Sequence, residues 1–135
     1  MAYFDWNDSY SVGVKEFDDH HKRLIELINK LNEAMVAGKA SQEVGVVIDE
    51  LLKYTNFHFA AEEARLAQHG YPALRTQKTE HEALKARVVT FREKVLKNQI
   101  GISIEVSKFL KDWLTTHMLQ EDKKYQPFFK AKGIS

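Results

Sequence analysis

The chain has 135 residues, of which 44% are hydrophobic and 29% are charged, enough to form one globular domain with a buried core. A formal charge of +1 excludes the strongly basic surface typical of proteins that bind nucleic acid or anionic membranes. The absence of cysteine excludes disulfide scaffolds, thiolate metal sites and cysteine nucleophiles. No apolar segment approaches the roughly 20 residues of a membrane span, and no signal-peptide pattern opens the chain, so we expect a soluble, cytoplasmic protein.

The first half of the chain predicts two amphipathic helices. Glycines divide the sequence into segments with helical periodicity, and the well-spaced ones are Gly13, Gly38, Gly70 and Gly101. The first helix is predicted to begin at a capping Asp18 and to end at Ala37. The second is predicted to begin at a capping Ser41 and to end near Gly70.

The second half predicts two more helices. The third has the most regular pattern, with alternating steps of three and four residues through Leu74, Gln77, His81, Leu84, Val88, Phe91 and Val95. The fourth begins near Ser103 and reaches a polar end at 120–124. Short connections favour antiparallel neighbours, so we predict an all-α, up-down-up-down four-helix bundle. Residues 1–135 would form a single domain, with an N-terminal arm over 1–16 and the bundle over 17–131.

Polar side chains occupy inward positions on these helices. Gln77 and His81 lie within the apolar series of the third helix. On the second helix, His58 and Glu62 are one turn apart on the inner face. On the fourth, His117 follows the apolar positions by helical steps. Three helices therefore direct a histidine toward the core.

The first helix contributes His20 and His21, which lie about equally far from the centre of its apolar face, so periodicity leaves both as candidates. One such histidine alone is typical of a core residue with an ordinary hydrogen bond. A histidine from each of four helices, with a nearby glutamate, would cost on the order of several kcal/mol in desolvation unless the groups or a cation compensated them. The sequence therefore predicts a metal site in the bundle core, with donors that suit iron, zinc, copper or nickel.

Other catalytic patterns are absent from the sequence. No glutamate stands three residues before a histidine, as in ferritin-like di-iron proteins, and the zinc-protease motif His-Glu-x-x-His does not occur. There is also no glycine-rich phosphate loop and no nucleophile elbow. These absences remove support for protease, nucleotide-binding and hydrolase functions.

The pattern resembles that of bacterial hemerythrins over nearly the whole chain. The matching segments are 11–14, 18–22, 54–63, 78–81 and 113–117, followed by Asp122 and Tyr125. The resemblance implies a non-haem di-iron protein that binds dioxygen reversibly as a carrier, store or sensor, rather than an enzyme. The metal ligands it implies are His21, His58, Glu62, His81, His117 and Asp122.

Further details also follow from this resemblance. Glu62, Asp122 and a solvent-derived oxygen would bridge the two irons, and the iron held by His21 and His58 would keep a position open for dioxygen. His20 would then be a neighbour on the helix surface. Asp122 comes five residues after His117, where α-helical spacing favours Glu121, so a loosened turn is implied. The apolar residues beside His117 are candidates for lining an oxygen pocket, namely Leu114 and Met118.

The sequence departs from the family at Gln77, where the second iron would take a third histidine. The amide could coordinate weakly, leave a water in its place, or hydrogen-bond to the bridging group. One alternative function is therefore a di-iron enzyme that reacts with peroxide, oxygen or nitric oxide at a second open position. Another alternative, suggested by the bundle and an exposed His20, is a metal-free phosphotransfer or interaction module.

Overall fold

The computed structural model describes residues 3–97 and 102–135, without the side chains of residues 41 and 102–104. Its elements are a 3₁₀ helix Asp8–Tyr10, α1 Lys15–Val36, α2 Ser41–Gln68, α3 Leu74–Leu96, α4 Ile102–Thr116, a π-helical segment His117–Asp122 and α5 Lys123–Ala131. Contacts between α1 and α2, α2 and α3, α3 and α4, and α4 and α1 close a ring of four helices. The predicted all-α four-helix bundle is confirmed. No helix in the described part of the chain is long and apolar enough to cross a membrane.

Two glycines end the first two helices as predicted. Gly38 and Gly70 have φ angles of +68° and +70°, in the left-handed region that glycine adopts without steric cost. The next residue donates back into the last turn in each case, from the Lys39 amide to Ala34 and from the Tyr71 amide to Leu66. These bonds satisfy carbonyls that the helix would otherwise leave open, and they reverse the chain.

The predicted N-caps of the first two helices are wrong. α1 begins at Lys15 after Val14, and the Asp18 carboxylate instead accepts hydrogen bonds from the arm, from the Ser11 hydroxyl at 2.6 Å and the Val12 amide at 2.8 Å. α2 includes Ser41 as its first residue and has Ala40 at the N-cap position. Asp18 therefore holds the arm against α1, which explains why a good capping residue lies inside the helix.

The fourth helix also continues beyond its predicted polar end. The π-helical segment leads directly into α5, which buries Tyr125 and Phe129. Gly101, which we predicted as a breakpoint, lies outside the described residues.

Apolar side chains form two core clusters. The larger one fills the body of the bundle and includes Leu24, Phe59 and Met118. The smaller one joins the arm, α1, the end of α2 with the turn that follows it, and α5, and its members are Val12, Val14, Phe17, Leu66, Tyr71, Tyr125 and Phe129. The predicted metal ligands lie between residues of the two clusters along α1, along α2, and along the continuous run of α4, the π-helical segment and α5. Packing on both sides therefore fixes the positions of these ligands.

Candidate metal centre

The six predicted ligands converge in the bundle core. Each side chain is at most 2% exposed, and the set is His21, His58, Glu62, His81, His117 and Asp122. They form two overlapping groups whose candidate donor atoms lie within 4.8 Å of one another. One group joins Glu62 and Asp122 to the histidines of α3 and the π-helical segment, and the other joins Glu62 to the histidines of α1 and α2.

The Glu62 carboxylate reaches toward both pairs of histidines. Its Oε1 atom lies 3.3 Å from Nε2 of His81. Its Oε2 atom lies 3.2 Å from Nε2 of His58 and 3.5 Å from Nε2 of His21. The α-helical register of α2 produces this arrangement, because His58 and Glu62 are one turn apart.

The Asp122 carboxylate spans the centre in the same way. Oδ1 lies 3.0 Å from Nε2 of His117, and Oδ2 lies 3.1 Å from Nε2 of His21. The π-helical segment makes this possible, since its wider turn brings residues five apart onto one face. Glu121, which ordinary helical spacing favours, instead pairs with Lys124 at 3.2 Å. The implied loosened turn is confirmed.

Carboxylates outside the centre hold the outer ring nitrogens of two histidines. Nδ1 of His81 lies 2.8 Å from Glu63, and Nδ1 of His117 lies 3.2 Å from Glu80. Such contacts fix the orientation of a metal-binding imidazole and increase its basicity. Sequence reasoning missed both glutamates. The available signal is that each is next to a predicted ligand in the sequence while it serves a histidine on a neighbouring helix.

His20 is buried rather than on the helix surface, with 8% of its area exposed. Its Nδ1 atom lies 2.8 Å from Nδ1 of His58, and its ring packs against Tyr54 and Phe57. Because two neutral imidazoles can share only one proton in this contact, one nitrogen donates and the other accepts. A proton on Nδ1 of His58 would leave its Nε2 free to bind metal, with His20 as the acceptor.

We expect His20→Ala to lower iron affinity by roughly 10- to 100-fold, because His58 would lose the partner that orients its ring. His20→Asn should retain most of the affinity, since the amide oxygen can accept the same hydrogen bond. Competition with a chelator measures both affinities, and circular dichroism of the metal-free variants checks that they fold. Equal losses in the two variants would contradict this role.

The metal-free centre is held together by opposite charges. Burial acts against the charge of His21, but contacts with Asp122 and Glu62 outweigh it and raise the pKa of His21 to about 9. Burial likewise opposes the charge of His117, and Asp122 outweighs it, so this pKa is also about 9. Burial and Glu62 act to raise the pKa of Asp122, but His117 and His21 hold it at about 2. Protons therefore occupy His21 and His117 near neutral pH, and a metal that binds these two histidines has to displace them.

Gln77 is buried at the edge of the centre and hydrogen-bonds to the carboxylate expected to bridge. Its Nε2 atom donates to Oδ1 of Asp122 at 3.2 Å and to the carbonyl oxygen of Glu121 at 3.3 Å. Its Oε1 atom is buried without a hydrogen-bond partner. The sequence left three arrangements open for the Gln77 amide. The geometry here corresponds to the one in which the amide hydrogen-bonds to the bridging group.

Aromatic side chains enclose the centre. The Tyr125 hydroxyl donates to Oε2 of Glu62 at 2.8 Å, and burial raises the pKa of Tyr125 well above 10, so the proton stays in place. Phe59 stacks on His81 with ring centroids 3.6 Å apart, and Trp113 stacks on His117 at 4.5 Å. These rings restrict the histidines and limit the entry of water.

A small apolar cavity of about 20 Å³ lies on the side of the larger core cluster. Leu114, Phe59 and Trp113 are among the residues that line it. Of the two predicted pocket residues, Leu114 therefore lines the cavity, whereas Met118 is buried in the same core cluster without lining it. The volume suffices for a single molecule of about the size of water.

The chemistry of these side chains fits two iron ions. Four imidazoles and two carboxylates, without thiolate, form a donor set that iron accepts. Oε1 of Glu62 and Oδ2 of Asp122 are buried and approach imidazole nitrogens at 3.3 and 3.1 Å without hydrogen-bond geometry. Buried acceptors left in this state are costly, and a bound cation would satisfy both.

Comparison with known proteins agrees with the metal site that these side chains form. The sequence matches the family described as "Hemerythrin HHE cation binding domain" over residues 12–129. It is 37% identical to a bacteriohemerythrin of Stenotrophomonas maltophilia over 97% of this chain and 84% of the relative. It is 30% identical to a bacteriohemerythrin of Methylococcus capsulatus, with coverage of 97% and 100%.

A solved structure of a wild-type hemerythrin is also similar. It superposes with a TM-score of 0.86 at 28% identity, covering 93% of this chain and 97% of that chain. The helical ring, the buried histidine and carboxylate groups and the sequence match agree, and the chain belongs to the hemerythrin HHE cation-binding family.

Proposed function

We propose that this protein binds two iron ions in the bundle core and binds dioxygen reversibly at that centre. The proposal rests mainly on the positions of the Glu62 and Asp122 carboxylates. Each carboxylate has one oxygen near the His21–His58 pair and the other near the His81–His117 pair. A carboxylate in this position can bridge two cations. The family match and the relatives named bacteriohemerythrin support the same function.

The ligands divide into two sets in this proposal. His21 and His58 would hold one iron, His81 and His117 would hold the other, and Glu62 and Asp122 would serve both. Iron bound there would supply the redox chemistry that reversible dioxygen binding requires. Tyr125 keeps its proton on the Glu62 side of the centre and so restrains that carboxylate by a hydrogen bond.

The cavity favours a small uncharged ligand. Its lining is largely apolar, and a charged or strongly hydrated molecule would lose its hydration without replacement contacts there. We assign Leu114 to the path or resting place of dioxygen, whereas Met118 fills the core beside His117. This lining favours a small apolar molecule such as dioxygen as the ligand.

The two alternatives receive less support. Family membership supports dioxygen binding, and no observation favours turnover of peroxide or nitric oxide. The phosphotransfer alternative depended on an exposed His20, and this histidine is buried against His58.

The decisive experiment measures iron content and optical absorption on the same sample. We expect two irons per chain and an absorption band that appears under oxygen and disappears when oxygen is removed, over repeated cycles. A protein that retains no iron, and that iron does not stabilise against unfolding, would contradict the proposal. Oxidation that does not reverse on removing oxygen would contradict the reversible part alone.

A further inference from the structure

The two halves of the centre receive the same number of protein donors. His21 and His58 stand on one side, and His81 and His117 on the other. Glu62 and Asp122 each direct one oxygen atom to each side. Each iron in the proposed function is thus offered two imidazole nitrogens and two carboxylate oxygens.

Gln77 stands where the family has a third histidine, and the nitrogen of its amide makes hydrogen bonds to other groups. The two protons on Nε2 point to Oδ1 of Asp122 and to the Glu121 carbonyl. A flipped amide would place Oε1 against these two acceptors, so the hydrogen bonds determine the orientation. The amide thus presents Nε2, and not Oε1, to the carboxylate of Asp122.

The amide group of Gln77 lies beside the Asp122 oxygen that approaches His117. The amide contacts Oδ1 of Asp122, which is the oxygen that approaches Nε2 of His117, 3.0 Å away. Gln77 is 1% exposed, so bulk water does not reach its Oε1 atom. A buried acceptor without a partner indicates a missing hydrogen-bond donor, and a small ligand such as water can supply it.

We infer that the iron held by His81 and His117 has its own exchangeable coordination position, beside Gln77, in addition to the position on the other iron. This inference rests on the proposed function. The position takes a small monodentate ligand, which is water at rest and can be replaced by a small anion. The amide of Gln77 hydrogen-bonds to Asp122 and does not coordinate the metal.

Azide binding to the oxidised, iron-loaded protein tests this inference. Iron is measured first, so a protein without two irons counts against the proposed function and not against the second position. Isothermal titration calorimetry then gives the number of azide ions bound. We expect two azides per chain for the natural sequence and one for Gln77→His, because the new imidazole fills the second position.

Gln77→Leu is the matched control, since leucine has a similar volume and no donor atom. It should also bind two azides, because it leaves the second position open. One azide bound by the natural sequence would overturn the inference, whatever the variants do. Two azides bound by all three iron-loaded proteins would overturn the role of position 77.

Discussion

Glu62→Gln is expected to abolish binding of both irons. The carboxylate approaches His81 through one oxygen and His58 and His21 through the other, whereas an amide keeps one oxygen and no negative charge and so cannot serve both halves. The loss should exceed the roughly 100-fold that removal of a ligand's hydrogen-bond partner can cost. Iron analysis after removal of loosely bound metal measures this result.

The control for this substitution is Glu43→Gln, which changes an exposed residue in the first turn of the same helix. It should leave the iron content unchanged. Circular dichroism should show that both variants remain helical. A Glu62→Gln protein that retained one tightly bound iron would contradict a carboxylate shared by the two halves of the centre.

The metal-free protein is expected to lose stability as the pH rises from 6.5 to 9. The pKa values of His21 and His117 are about 9 in the fold, above the usual 6.5, so the folded chain binds more protons in this range. Their stabilisation is fully present below pH 6.5 and is lost as the pH rises through 9. The free energy of unfolding should fall by about 1.4 kcal/mol per pH unit for each of the two histidines.

The other shifted groups do not offset this decline. Burial lowers the pKa of His20 and His58, so both are neutral in the folded and unfolded chains above pH 6.5. The low pKa of Asp122 stabilises the fold across the whole range and is lost only as the pH falls toward 2. Unfolding in urea at several pH values measures the slope.

The slope of the metal-free natural protein should be compared with the slopes of two other proteins. The iron-loaded protein should show a much smaller slope, because metal replaces the protons on His21 and His117. His117→Gln should lose about half of the slope in the metal-free state, since one of the two protonated histidines is gone. Constant or rising stability of the natural metal-free protein between pH 6.5 and 9 would contradict the charge arrangement.

Periodicity predicted the fold and most of the inward-facing histidines. The series on α3 placed Gln77, His81 and Leu84 in the core, where all three are buried. These predictions succeed because burial on a regular helix follows its 3.6-residue repeat. The same repeat could not select Asp122, which requires the wider turn of the π-helical segment.

Contacts between elements explain the remaining errors. Asp18 has the chemistry of a cap, but donors from the arm determine its position. His20 lies on the flank of α1, and only the approach of α2 buries it against His58. Glu63 and Glu80 each stand next to a predicted ligand in the sequence, but the histidines they contact lie on other elements, so periodicity along one helix did not select them.

The convergence of side chains from α1, α2, α3 and the π-helical segment has a consequence for stability. An iron pair bound to them would act as a cross-link between segments that are far apart in the sequence, from His21 on α1 to Asp122 before α5. Closing such long loops removes conformational entropy from the unfolded chain, as a disulfide does. In a protein without cysteine, this cross-link forms only when metal is available, and iron binding would then raise the free energy of unfolding of the whole bundle.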